Sequence, residues 1–478
     1  MKVLIPPEAA GERISDYLKS HGYLLAQPCG GKGTCGKCLV TLEDGTTVRA
    51  CKTLVPAGGV TVTFTPSEGA GLTVSAEKAE SLPEKRALAL DIGTTTLALA
   101  AVDQAAGRVF ATRSCLNPQS AFGADVITRI GQANEHLAEM QAVLLNAVKK
   151  LAEDFLPIET MTVVGNPTML ALFCGVSPEP MGHAPFTPAF TDRLTLTGES
   201  LGLPLKTVHV LPGASAFVGA DVLAGIAHTD MTASAAPVVL MDIGTNGEMA
   251  VFEPKTNTLT VTSAAAGPAL EGANISCGIG GIKGAVSKVW TENGKFYYET
   301  VGDAPAVGLC GSGLIDLTAC LLNEGYLDET GALEDDPFVL EGIHRVNGRD
   351  LPDEGPVLSL TQKDIRELQL AKSAVRAGLD TLLSVAGVAE KDVARLYLAG
   401  GMGFYLNGIS AARIGLLPER LLPVLSAVGN SALAGAIDAL KDPALWDADA
   451  ARAKTVELNG IPAFADRFIE NMMFPEEE

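Results

Sequence analysis

The sequence predicts an α/β protein: a small mixed N-terminal domain, then a larger domain made of two related lobes. Three observations predict it. The first 66 residues read as strand, helix, cysteine-rich loop, two strands and a last strand, a set that makes one small domain. An apolar strand ending at an aspartate and a Gly/Thr turn, "RALALDIGTTTLALAAVD", returns as "PVVLMDIGTNGEMAVFEP" roughly 150 residues later, which marks an internal duplication. Glycine-rich stretches follow at 263–285, 311–313 and 399–403, around strand ends and helix starts.

In the N-terminal domain, "MKVLIP" is a strand. "AGERISDYLKSHG" is a helix, with Ile14 and Leu18 one turn apart on its buried side. "CLVTLEDGTTVRAC" alternates on either side of Asp44-Gly45 and predicts a hairpin; "GGVTVTFTP" is the closing strand. Between helix and hairpin lies "PCGGKGTCGKC". Cys29, Cys35, Cys38 and Cys51 follow the spacing C-x5-C-x2-C-x12-C, in a chain with only nine cysteines. Close thiolates suit an iron–sulfur cluster. Gly30, Gly31, Gly33 and Gly36 clear side chains from between the ligands, so that N–H groups can point at the sulfurs and offset their negative charge. Zinc is the rival occupant, but structural zinc sites more often carry two C-x2-C knuckles, and here there is one. A [2Fe–2S] cluster is therefore the expected cofactor, and it would supply much of the stability of so slight a core. The spacing is similar to the plant-type ferredoxin loop without matching it, and its short return looks closer to ferredoxin-like domains embedded in larger oxidoreductases.

Residues 67–85 are polar and weakly patterned and are expected to form a linker. The first lobe is then expected over 86–232 and the second over 233–478. Each lobe opens on the repeated strand–turn. Asp91 stands before Gly93, Thr94, Thr95 and Thr96; Asp242 stands before Gly244, Thr245, Asn246, Gly247 and Glu248. Turn amides can face an anion, threonine hydroxyls can donate to phosphate oxygens, and the aspartates can face Mg²⁺ or its waters. Two such turns opposed across a cleft would hold a polyphosphate from both sides. D-x-G-T turns also occur as plain hairpin turns, but two copies with apolar strands on both sides weigh against that. Neither a dinucleotide-binding fingerprint nor a P-loop is present.

Gly311-Ser312-Gly313 begins a helix, whose N-terminus can accept an anion, and Gly400, Gly401 and Gly403 form a turn against which a flat nucleoside can lie. The plainer reading of all three stretches is structural glycine at close strand–helix contacts. Glu248 either polarises the water that attacks the γ-phosphate or caps an interior amide network. Asn117, Gln119 and Asp125 either line a cleft or cap helices. Cys115, Cys174, Cys277, Cys310 and Cys320 lack C-x-x-C spacing and read as buried structural thiols.

The net charge of −21, from 35 basic and 56 acidic side chains, argues against nucleic-acid or anionic-membrane binding. The N-terminus lacks an apolar signal region, and no run reads as a transmembrane helix. Scattered, odd-numbered cysteines fit a reducing compartment, so a cytoplasmic location is expected.

"DIGTTT", "DIGTNGE" and "LAGGMG" together resemble the two phosphate loops and the adenosine loop of the actin-like ATPase superfamily, which includes sugar kinases, Hsp70 and actin. More narrowly, "NPQSAFGADVITRI", "VVGNPTM", "MDIGTNGEM", "AAGPALEGANISCGIGG" and "GSGLIDL" resemble its ferredoxin-linked members, the ATP-dependent reductive activators of corrinoid proteins. The resemblance covers essentially the whole chain. It implies a β-grasp ferredoxin-like domain ahead of a two-lobed, ribonuclease H-like duplicated ATPase domain. It implies that ATP drives one-electron reduction of the inactive Co(II) corrinoid of a methyltransferase system to Co(I), with the electron coming from the N-terminal cluster. An upstream low-potential donor would refill the cluster, and a homodimer is allowed for. The implied ligands are Cys29, Cys35, Cys38 and Cys51. The implied phosphate loops are Asp91, Thr94 and Thr95, then Asp242, Gly244, Thr245 and Asn246; the nucleoside loop is Gly400, Gly401 and Gly403. The short linker departs from larger activators and leads to the expectation of a short form without their extra middle domain, which leaves the identity of the electron acceptor open. A small-molecule kinase with an accessory metal domain is the alternative enzyme. A zinc-bearing, non-enzymatic actin- or Hsp70-like module is the alternative outside catalysis.

Overall fold

The structure is a computed structural model and describes residues 1–21, 23, 25, 38–64, 73–76, 82–351, 355–400 and 406–476. These form two compact units. One comprises Met1–Ala220 with Ala436–Ala444, the other Asp221–Gly435 with Leu445–Glu478.

The N-terminal strands form a four-stranded antiparallel sheet in the order Lys2–Ile5, Val60–Thr63, Leu39–Leu42, Thr47–Arg49. The expected hairpin turns at Gly45, whose φ of +82° favours glycine, and Asp44 accepts the Thr46 N–H at 2.8 Å. Helix Ile14–Ser20 buries Ile14 and Leu18 in the core with Ile5, Val40 and Val62, as their spacing requires. The span expected as a linker contains a strand: Thr73–Ala76 pairs antiparallel with Arg108–Leu116 at the edge of the next sheet. The rest of 67–81 lies outside the described residues.

In the first unit, Arg86–Ile92, Thr96–Asp103 and Arg108–Leu116 form an antiparallel meander. Helix Val126–Ala152 then leads to Ile158–Gly165, which runs parallel to Arg86–Ile92 on its other side, and Leu205–Val210 runs parallel beyond it. Ala87–Leu90 are buried without alternation, as befits a strand covered on both faces. The second unit repeats this plan. Val238–Ile243, Gly247–Glu253 and Thr258–Ala264 form the meander. Helix Gln362–Ala386 precedes Arg395–Ala399, which runs parallel to Val238–Ile243, with Leu425–Gly429 parallel beyond. The duplication expected from the echoed turns is thus a duplication of topology. Between meander and helix the second unit carries a five-stranded sheet and helix Gly311–Asn323. Among the described residues no helix is long and apolar enough to cross a membrane.

Candidate functional site

Asp91 lies near the end of the strand Arg86–Ile92, opposite Val164 of the parallel strand Ile158–Gly165. The sheet therefore brings the Gly93–Thr95 turn beside Asn166, the residue just past that neighbouring strand. Gly93 N–H closes the turn on Thr96 O at 3.0 Å. The turn's carbonyls are held from within. Asn117 Nδ2 donates to Gly93 O at 2.9 Å, an Arg129 NH₂ group donates to Thr94 O at 2.6 Å, and Asn117 N–H donates to Thr95 O at 2.8 Å. A turn whose carbonyl oxygens are drawn inward presents N–H groups and hydroxyls to a ligand, the polarity an anion needs.

Arg129 is fully buried. Its other arms donate to Gly123 O at 2.9 Å and to Met169 Sδ at 3.1 Å. Asn117 also caps the short turn Pro118–Ala121, and Asp125 caps helix Val126–Ala152 by accepting the Thr128 N–H at 2.7 Å. Gln119 is buried and donates to Met140 O. Of the two readings offered for these three residues, the structure shows capping for Asn117 and Asp125, with Asn117 also gripping the turn.

In the second unit, Gly244 N–H closes the echoed turn on Asn246 O at 2.9 Å. Thr245 Oγ1 donates to Glu271 Oε2 at 2.6 Å. Glu271 comes from the short helix Pro268–Glu271, inside the first glycine-rich stretch. Asp242 and Glu248 are direct cross-strand partners, and Ser263 Oγ donates to Glu248 at 3.3 Å. Gly400, with φ +92°, packs so closely that a Cβ there would stand 2.5 Å from Asp242 Oδ1. Gly401 and Gly403 lie outside the described residues.

Burial, then the charges of Asp221 and Asp242, hold the Glu248 carboxyl well above the usual carboxylate range. Burial likewise raises Asp221 to about 6. A raised carboxyl binds its proton in the folded state at pH values where the unfolded chain, starting from 3.8 and 4.5, has already lost it. Its contribution is full below the unfolded value and is lost as pH rises through the folded one. Calorimetry in EDTA should therefore show the second unit's melting temperature falling from pH 4 through about 6 and beyond. The fall should be shallower in Glu248→Gln; equal slopes would show that folding does not raise the Glu248 carboxyl.

Gly311, Ser312 and Gly313 do begin a helix, and all three are buried. Ser312 Oγ donates to Ser287 O at 2.8 Å, and a Cβ on Gly313 would stand 2.2 Å from Val286 O. Gly313 therefore permits a close helix–strand approach. Of the five thiols expected to be buried, Cys310 and Cys320 are, whereas Cys115, Cys174 and Cys277 are half-buried. Burial pushes Cys174 and Cys320 up to about 12 and raises Cys115 and Cys277, which disfavours their reactive thiolate forms.

The hairpin joins the two ends of its own cysteine segment. Ala50 N–H donates to Cys38 O at 2.8 Å, and the buried Cys38 and Cys51 sulfurs stand 3.2 Å apart, unbonded. Two thiols converging at one point fit shared ligation of a single centre. Cys29 and Cys35 lie outside the described residues. Among the described residues no group of three or more His, Cys, Asp or Glu side chains is placed to hold a metal ion.

The sequence model described as the C-terminal domain of RACo, the ASKHA domain, matches residues 236–478, and that described as the RACo middle region matches 86–234. The chain belongs to the RACo family, the reductive activators of corrinoid proteins. The expectation of a short form without a middle domain is thereby corrected, because the stretch expected as the first lobe matches the family's middle region. The corrinoid activation enzyme RamQ of Eubacterium limosum is 34% identical over 81% of this chain and 70% of its own length. The [Co(II) methylated amine-specific corrinoid protein] reductase of Methanosarcina barkeri is 27% identical over 59% of this chain and 55% of its own. A solved structure titled reductive activator for corrinoid, iron-sulfur protein superposes with a TM-score of 0.74 at 26% identity, over 100% of this chain and 97% of that one. The ASKHA match establishes an actin-like ATPase fold for the C-terminal half of this RACo member.

Proposed function

We propose that this RACo member uses ATP and Mg²⁺ to drive one-electron reduction of a Co(II) corrinoid, held on a protein of a methyltransferase system, to Co(I). The observation that carries the ATP reading is the pair of topologically equivalent strand–turns, the first with every turn carbonyl held inward. The names of the relatives support a corrinoid protein as partner.

Thr94, Thr95 and the Gly93 turn bind phosphate oxygens; Asp91 and Asp242 face the metal's waters. Glu248, whose carboxyl burial holds above the usual carboxylate range, gains a reason to ionise when a cation binds. Glu248 then orients the water for hydrolysis. Cys29, Cys35, Cys38 and Cys51 would hold a [2Fe–2S] cluster, which when bound supplies one electron at a time and is refilled by a low-potential donor. The Co(II)/Co(I) step needs help, since about 59 mV of unfavourable potential costs a factor of ten for one electron. Nucleotide binding supplies it by favouring the state of the protein that binds the more easily reduced corrinoid.

The test is a visible spectrum of anaerobically purified protein. The wild type should be coloured and bleach on reduction, and Cys51→Ala should be colourless while retaining ATP binding. A colourless wild type containing zinc would contradict the electron-carrier reading.

A further inference from the structure

The two echoed turns have the same topology but opposite hydrogen-bond polarity at their threonines. Asn166 caps helix Pro167–Cys174 by accepting the Met169 N–H on Oδ1 at 3.0 Å. A backbone N–H can only donate, so this contact fixes which end of the amide is oxygen. The other end, Nδ2, must then donate to Thr94 Oγ1, which it meets at 3.0 Å. Thr94 is the acceptor in that bond, and its own hydroxyl hydrogen is left to point elsewhere. Both side chains are buried, so the arrangement is set by the protein and not by solvent. In the other turn Thr245 Oγ1 is the donor, to Glu271 Oε2, and its remaining lone pair is what it can offer.

We propose that Asn166 is a positioning residue that fixes Thr94 as a hydroxyl donor to a phosphate oxygen. Its counterpart Glu271 fixes Thr245 as an acceptor, facing a cation or its water. The threonine of the first turn is thus the anion-facing member of the pair and that of the second the cation-facing one. The inference rests on the ATP reading above and deepens it: the duplicated turns are specialised, and the specialisation comes from residues 72 and 26 positions away in the chain.

Asn166→Asp separates this role from helix capping. Aspartate keeps the acceptor that Met169 N–H needs, and it is as good a cap as asparagine. It replaces the donor facing Thr94 by an acceptor, so Thr94 donates inward and turns a lone pair toward the phosphate. In titrations of full-length protein with Mg-ATP, Asn166→Asp should bind about tenfold to a hundredfold more weakly than wild type, the range for a hydrogen bond to a charged group. Its melting temperature should not fall. In a Thr94→Val background, which lacks the hydroxyl, the same change should cost no more than about twofold. Wild-type affinity in Asn166→Asp, or a loss that adds fully to that of Thr94→Val, would overturn the proposal. Absence of ATP binding by the wild type would instead overturn the nucleotide reading, and the proposal with it.

Discussion

Arg129→Ala should melt well below the wild type and should not bind ATP measurably. The guanidinium is fully buried and donates to Gly123 O, Thr94 O and Met169 Sδ. Truncation strands two buried carbonyls, at about 1–3 kcal/mol each, and opens a cavity besides. A loss of about 3–5 kcal/mol follows, at the high end for a single substitution. The functional loss has a separate cause. With Thr94 O released, the turn can rotate its carbonyl outward and present an oxygen where a phosphate should sit. Arg129→Lys should recover only part of either effect, because one ammonium cannot span three divergent acceptors. Calorimetry and nucleotide titration on the two variants check both effects. Wild-type melting in Arg129→Ala would show that the turn does not depend on this clamp.

Gly400→Ala should act in the opposite proportion, with a large loss of ATP turnover and a modest loss of stability. At φ +92° an L-residue is strained by about 1–2 kcal/mol. The methyl would stand 2.5 Å from Asp242 Oδ1 and 3.1 Å from Ile243 O. The carboxylate is the softer neighbour, so Asp242 moves. With Asp242 in the role proposed above, displacing it by an ångström costs on the order of a hundredfold in rate. Steady-state ATPase assays should show that loss in kcat at nearly unchanged secondary structure. Normal turnover would mean that Asp242 is not required where it stands.

What was legible in the sequence was what repeats or alternates. The hairpin between Cys38 and Cys51 was readable because Leu39–Leu42 and Thr47–Arg49 alternate around an Asp-Gly turn. The duplication was readable because each copy of the turn is flanked by apolar strands, which the topology now pairs in equivalent ways. The residues that orient the turns were not readable. Arg129 sits in an ordinary helical stretch, and Asn166 looks like any helix cap. Glu271 lies in a glycine-rich segment valued for its backbone. Asp221 opens a helix and joins Glu248 electrostatically only through folding. Their roles come from contacts made 26 to 72 residues away, for which local periodicity carries no signal. The strand Thr73–Ala76 was missed for a related reason. Four residues in a polar, Gly- and Ser-rich stretch give no strand pattern, and the strand exists only as an edge on Arg108–Leu116.

Coupling of nucleotide to electron transfer can be read in a single anaerobic mixing experiment. Pre-reduced protein is mixed with its Co(II) corrinoid protein, with and without Mg-ATP, and the cobalt absorbance is followed. Formation of Co(I) only when Mg-ATP is present is the predicted result; equal rates and extents in both mixtures would contradict it.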